Sequence, residues 1–252
     1  MQTKYLQSFG RTKSRKLRNN ANRLMAEILP LVRVDEFPKS AYKETWLEIG
    51  FGDGGHLLHQ AISNPQIGFI GCEPFINGTV KLLRGIEENK LNNIRIFPGD
   101  FRELILSSSG YDPRIQGVSD SIVSQTLDPR VKPEDDKWVG IIDRVFILFP
   151  DPWPKKKQKK RRLVSKESLD LLARIMKQGA KLRIATDHED YAKWIVRELL
   201  AHDKFRWLAQ SKHDWQTQPT DHIETKYQKK NLANTSRAIF FEAICDKKAG
   251  KS

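Results

Sequence analysis

Cysteine is nearly absent. Cys72 and Cys245 stand far apart in apolar, strand-like runs of a 252-residue chain, which excludes a disulfide framework and suits two reduced core thiols. No apolar run approaches the roughly 20 residues that a membrane-spanning helix needs, and no lipidation signal is present. The stretch from Met1 to Arg18 is polar and basic and lacks the apolar segment of a secretory signal. The expected setting is cytoplasmic, with no membrane partner and no metal. Acid is scarce as well: 44 Lys and Arg face 31 Asp and Glu, and the net charge of +13 draws polyanions by counterion release and long-range steering. Nucleic acid is the expected partner. A hydrophobic fraction of 38% over this length supplies the core of one large domain.

The basic excess begins at once. Lys4, Arg11, Lys13, Arg15, Lys16 and Arg18 precede the first acid, Glu27, so residues 1–40 read as a basic arm followed by a short helix. Contact with RNA and simple solvation both remain open for the arm. Leu17, Leu24, Ile28 and Leu31 recur near helical spacing and predict an amphipathic helix stopping at Pro30. One domain is expected over 41–246, with a tail at 247–252.

From Thr45 onward, strands alternate with helices. Strands are predicted near 45–49, 67–72, 94–97, 143–149 and 180–185, and helices near 54–63, 75–91, 165–178 and 188–201. Apolar runs without polar alternation imply a parallel sheet covered on both faces, so the fold class is α/β, doubly wound. Phe205–Ala209 and Arg237–Cys245 have no good helix between them and are expected to pair antiparallel at one edge. The stretch at about 107–140 breaks the rhythm with Ser, Asp, Pro and Gly. Its length and low hydrophobicity suit a disordered insert better than a lid.

The first strand ends in Leu47-Glu48-Ile49-Gly50-Phe51-Gly52, a glycine turn that lets a ligand approach the backbone at the carboxyl end of the sheet. Alone, this spacing fits dinucleotide enzymes and methyltransferases alike. Glu73, in Gly71-Cys72-Glu73-Pro74, stands where a carboxylate can accept from ribose hydroxyls, which leaves NAD and S-adenosylmethionine both possible. Asp100 follows the third strand. It can accept from an adenine amino group or cap the short helix it precedes.

The fourth strand separates the two cofactors. Hydride transfer needs a residue to shuttle the alcohol proton, and the turn Phe149-Pro150-Asp151-Pro152-Trp153-Pro154 offers an acid and an indole instead. A ring there can stack a base, and a carboxylate can oppose positive charge. Guanine N7 carries an unprotonated lone pair and needs no general base, so Asp151 alone can serve a methyl transfer to it. The tract from Lys155 to Arg162 follows directly and reads as an RNA grip, with a localisation signal or a solvated face as the alternatives. His56 and His59 lack a third ligand at metal spacing and read as surface or helix-packing residues. Asp187 and Thr186 precede a helix and read as caps facing the crevice.

With these residues in place, the chain resembles the bacterial tRNA (guanine-N7-)-methyltransferases, enzymes of the tRNA variable loop. The resemblance covers roughly residues 40–245, and its strongest mark is Arg144-Val-Phe-Ile-Leu-Phe-Pro-Asp-Pro-Trp-Pro-Lys155, supported by Leu47–Gly52, Gly71–Pro74, Ala185–Asp187 and Thr225–Tyr227. It implies a Rossmann-like methyltransferase sheet, mostly parallel with an antiparallel edge strand, in a monomer or homodimer. It also implies S-adenosylmethionine as cofactor, held by Glu48, Gly50, Gly52, Glu73, Asp100 and Asp151, with Asp151 catalytic and no metal. Lys155, Asp187, Thr225, Lys226, Tyr227 and Gln228 would meet the tRNA. Gln228 stands where the family's motif has a glutamate, which puts one carboxylate contact in doubt. The run Leu127–Asp136 is similar to translated mobile repeat elements, which makes the insert a passenger. Two alternatives keep the fold: methylation of an exocyclic amine in RNA, and a non-catalytic basic RNA-binding protein.

Overall fold

The computed structural model describes residues 17–34, 41–107, 139–223 and 238–247. Most of the basic arm, the bulk of the insert and the Thr225–Gln228 segment lie outside the described residues. Seven strands form one sheet: β1 Glu44–Ile49, β2 Ile67–Cys72, β3 Ile94–Phe97, β4 Ile142–Leu148, β5 Met176–Thr186, β6 Phe205–Trp207 and β7 Ile239–Cys245, in the order β3-β2-β1-β4-β5-β7-β6. β1 through β5 are parallel. β7 runs antiparallel to both β5 and β6, so the late pair forms as expected and β6 takes the outermost place.

Helices cover both faces of the sheet. Gly55–Ser63 and Ile76–Glu88 bury Leu57, Ala61, Leu82, Leu83 and Ile86 against one face. Lys166–Ile175 and Glu189–Ala201 bury Leu169, Leu172, Ile195 and Leu199 against the other. Every residue of β2 is buried, the expected state of a strand covered on both faces. Cys72 and Cys245 are buried free thiols. No described helix is long and apolar enough to cross a membrane.

The N-terminal helix differs from expectation. It continues past Pro30, through Asn19–Arg23, a π-helical turn Leu24–Ile28 and a last turn Leu29–Val32. The wider π turn ahead of the proline leaves room for a ring that would otherwise clash one turn back, and the new turn starts where the missing N–H costs nothing. It also rotates the apolar face. Leu24, Leu29 and Val32 are buried, while Leu31 is left 73% exposed. Arg23 clasps both carboxylate oxygens of Glu87 at 2.8 and 2.7 Å, and Val34 N–H then donates to the Ile96 carbonyl at 2.9 Å, closing the β3 edge. A short helix, Lys212–Gln216, intervenes between β6 and β7, with Asp214 accepting from Ser211 N–H at 2.9 Å.

The strand order reverses between β1 and β4, and the crevice of such a sheet opens outside their carboxyl ends. Glu48 is paired in register with Phe146, and Leu148 with Ala185, so the ends of β1, β4 and β5 lie level. The Gly50 turn and the Asp151 turn therefore flank one opening.

Candidate active site

The glycine turn after β1 is shaped from two sides. Gly50 has φ +72°, a left-handed backbone conformation that favours glycine, and a Cβ built there would meet no atom within 4 Å. That side is open, so a ligand can approach the backbone there. Gly78 does the reverse: its helix comes so close that a Cβ would stand 2.0 Å from the Gly52 carbonyl.

Three acids converge here. Glu73 receives Gly52 N–H on Oε2 at 2.9 Å and Phe75 N–H on Oε1 at 2.8 Å, which ties β2's end to the turn. Its burial raises the pKa, the two backbone donors pull it back, and the nearby Asp151 and Glu48 charges raise it further. Glu48 is buried at 3% exposure, with His56 Nδ1 2.7 Å from its Oε2. Asp100 is buried just after β3, the strand next to β2. It accepts from Arg102 N–H at 3.0 Å as a cap, and the Arg102 guanidinium grips it at 2.8 and 2.6 Å. The capping role is thus present, and a ligand would share Asp100 with Arg102.

The Asp-Pro-Trp turn is strained on both flanks. Phe149 has φ +52° and Trp153 has φ +43°, positions that bulky residues rarely occupy, and each costs about 1–3 kcal/mol unless its surroundings enforce it. Phe149 N–H donates to the Ala185 carbonyl at 2.8 Å, and Arg162 Nε donates to the Pro152 carbonyl at 2.9 Å. These bonds hold the turn on either side of Asp151. Asp151 opens to solvent, yet the surrounding protein withholds enough water to push its pKa above the ordinary carboxylate value.

The basic tract divides into two groups. Arg162 is buried, ion-paired to Asp190 and stacked 4.9 Å from the Tyr191 ring and 5.0 Å from Trp194, so it belongs to the core. Lys159 holds Asp190 at 2.8 Å, and Arg161 lies 5.0 Å over the half-buried Trp153. Between them, Lys159 and Arg162 pull Asp190 down to a pKa of about 2. Lys155, Lys156, Lys157 and Lys160 are exposed around the 3-10 helix Lys156–Arg161.

One smaller expectation changes. The cap of helix Glu189–Ala201 is His188, whose Nδ1 accepts from Tyr191 N–H at 3.3 Å, while Thr186 Oγ1 accepts from His188 N–H at 3.2 Å. Asp187 is half-buried at the end of β5, beside the Asp151 turn. His56 is buried at 4% and engaged with Glu48, whereas His59 is exposed. The sequence does carry a signal for His56, since His56 and Gln60 share the buried face with Leu57 and Ala61.

Carboxylates beside an open glycine turn suit a cationic ligand, and the sulfonium of S-adenosylmethionine is one. The residues present fit it: an open glycine turn and acids at the ends of β1, β2 and β4. Among the described residues no group of three His, Cys, Asp or Glu is placed to hold a metal.

Comparison with known proteins agrees with this chemistry. A family described as "Putative methyltransferase" matches residues 42–118 and 139–241, stepping over most of the insert. A tRNA (guanine-N(7)-)-methyltransferase of Hyphomonas neptunium is 41% identical over 246 residues, covering 93% of this chain and 98% of that protein. Enzymes of the same name from Caulobacter vibrioides and Ruegeria pomeroyi are 38% and 42% identical, covering 91% and 75% of this chain and 91% and 68% of theirs. With the Asp-Pro-Trp turn and the acids together at the carboxyl end of the sheet, the chain belongs to the bacterial tRNA (guanine-N7-)-methyltransferase family.

Proposed function

We propose that this protein methylates N7 of a guanine in the variable loop of tRNA, in the cytoplasm, with S-adenosylmethionine as methyl donor. One observation carries the reading: the β1/β4 crevice joins clustered carboxylates to a strained Asp-Pro-Trp turn that runs straight into exposed lysines. Glu48, Gly50, Gly52, Glu73, Asp100 and Asp151 hold the cofactor, which supplies a methyl group on a positively charged sulfur. Glu73 and Asp151, both raised by burial, gain from ionising beside that charge. Lys155, Asp187 and the segment Thr225, Lys226, Tyr227 and Gln228 meet the tRNA.

Guanine N7 presents its lone pair without help, so no group has to remove a proton. Held by these acids, S-adenosylmethionine would supply its methyl group to that lone pair, its sulfur keeping the bond electrons and the purine taking up the positive charge. Asp151, fixed by the turn, favours the charge as it develops on the base. The test is to incubate the protein with unmodified tRNA and S-adenosylmethionine, digest the RNA and identify the product by mass spectrometry. 7-Methylguanosine is expected, and a methyl group on an exocyclic amine would replace this reading.

A further inference from the structure

Glu48 is supported from behind by a chain of buried polar groups. Its Oε2 lies 2.7 Å from His56 Nδ1; His56 Nε2 lies 3.4 Å from Gln60 Nε2; and that same Gln60 nitrogen donates to the Asp221 carbonyl at 2.7 Å. The last bond fixes the proton positions. A carbonyl only accepts, so the atom that Gln60 presents is its NH2, and the second hydrogen of that group is left for His56. His56 Nε2 must then accept, the ring proton sits on Nδ1, and Nδ1–H donates to Glu48. The far end is anchored as well, because Arg144 and Arg183 hold the Asp221 carboxylate at 2.9 and 2.6 Å. The His56 ring packs edge-on against Phe146, 5.0 Å between centroids, which limits its rotation.

We propose that His56 and Gln60 are positioning residues for the cofactor: they lock the Glu48 carboxylate, occupying Oε2 and presenting Oε1 to S-adenosylmethionine in one orientation. This rests on the reading of the crevice as the S-adenosylmethionine site. A carboxylate free to rotate among several rotamers gives up part of its binding energy to ordering when the ligand arrives, and the relay removes that cost beforehand. Nothing in the glycine motif itself demands a histidine. The device belongs to this chain's own pairing of a strand end with the inner face of the next helix.

The experiment measures S-adenosylmethionine binding by calorimetry in the full-length protein, together with steady-state methyl transfer to tRNA, for wild type, His56→Leu, His56→Asn and Gln60→Met. In His56→Asn an amide nitrogen stands near the place of Nδ1 and can still donate to Glu48. His56→Leu is expected to weaken cofactor binding about tenfold or more, the value of a hydrogen bond to a charged group, with little change in the KM for tRNA. His56→Asn is expected to recover binding to within about threefold of wild type, and Gln60→Met to fall between. A purely structural histidine would lower thermal stability and leave the cofactor affinity of the folded variants unchanged. Equal binding by wild type and His56→Leu overturns the proposal, as does failure of His56→Asn to recover it. If His56→Leu does not fold, wild-type affinity in Gln60→Met overturns it. Wild-type protein that binds no S-adenosylmethionine overturns the site reading itself, and this inference with it.

Discussion

Replacing Arg162 by Met tests whether the Asp151 turn is held from inside. The guanidinium is 3% exposed, donates to the Pro152 carbonyl at 2.9 Å, pairs with Asp190 and stacks on Tyr191 and Trp194. A hydrogen bond from a charged donor is worth about 1.5–3 kcal/mol and buried ring stacking about 0.5–2 kcal/mol. Asp190 is half-exposed and retains Lys159, so losing its second partner adds only about 0–1 kcal/mol. Methionine refills part of the volume. The expected net destabilisation is about 2–4 kcal/mol, which urea unfolding would record as a midpoint lowered by about 1–2 M. Turnover should fall further than stability suggests. With the Pro152 carbonyl released, Phe149 and Trp153 can leave their positive φ values, and a shift of about 1 Å at Asp151 is worth roughly a hundredfold in kcat. Arg162→Lys should be intermediate, since an ammonium keeps the charge and loses the fork. The KM for tRNA should hardly move. A Met variant with wild-type stability and kcat but weaker, less salt-sensitive tRNA binding would refute the clamp and return Arg162 to the RNA grip.

Other consequences are open to measurement. Changing Lys156, Lys157 and Lys160 to Gln together should weaken tRNA binding and flatten its salt dependence by up to about 0.9 for each phosphate no longer neutralised, whereas Lys159→Gln should leave the slope nearly unchanged because Lys159 holds Asp190. Gly78→Ala places a methyl 2.0 Å from the Gly52 carbonyl, so the helix or the turn must move; a loss of at least about 1–3 kcal/mol and weaker cofactor binding are expected, and unchanged calorimetry would show that the turn yields freely. Burial raises Glu73 above its ordinary 4.5 and Asp151 above 3.8, so both become neutral early as pH falls. Affinity for the cationic cofactor should begin to drop above pH 4.5. Asp190 behaves oppositely: its depressed pKa means the ion pair stabilises the fold above 3.8 and disappears as pH falls through about 2, which carboxyl-detected NMR can follow.

The parallel core was legible where a strand is an apolar run between helices, and β2 and β3 fall on their predicted residues; β5 begins at Met176, inside the helix expected over 165–178, because its first half, Met-Lys-Gln-Gly-Ala-Lys, is polar and largely exposed. What the sequence hides is set by distant partners. Pro30 reads as a stop unless the π turn before it is known, and a π turn leaves no mark in the composition of Leu24–Ile28. Arg162 looks like the last of a cationic series. Its burial depends on Asp190, Tyr191 and Trp194, which lie some thirty positions on and approach only when the helix after β5 packs back. His56 invites a test of metal spacing along its own helix, when its partner is a carboxylate at the end of the preceding strand. Asp151 and the glycine turn are readable because both sit at strand ends, where the sheet order alone brings them together.

The most direct measurement is methyl transfer to unmodified tRNA by wild-type protein and Asp151→Ala, with the product nucleoside and its position mapped. Wild type should place 7-methylguanosine in the variable loop. Asp151→Ala should keep the fold by circular dichroism and lose at least about a hundredfold in turnover. A folded Asp151→Ala protein that turns over at the wild-type rate would contradict the role assigned to the turn.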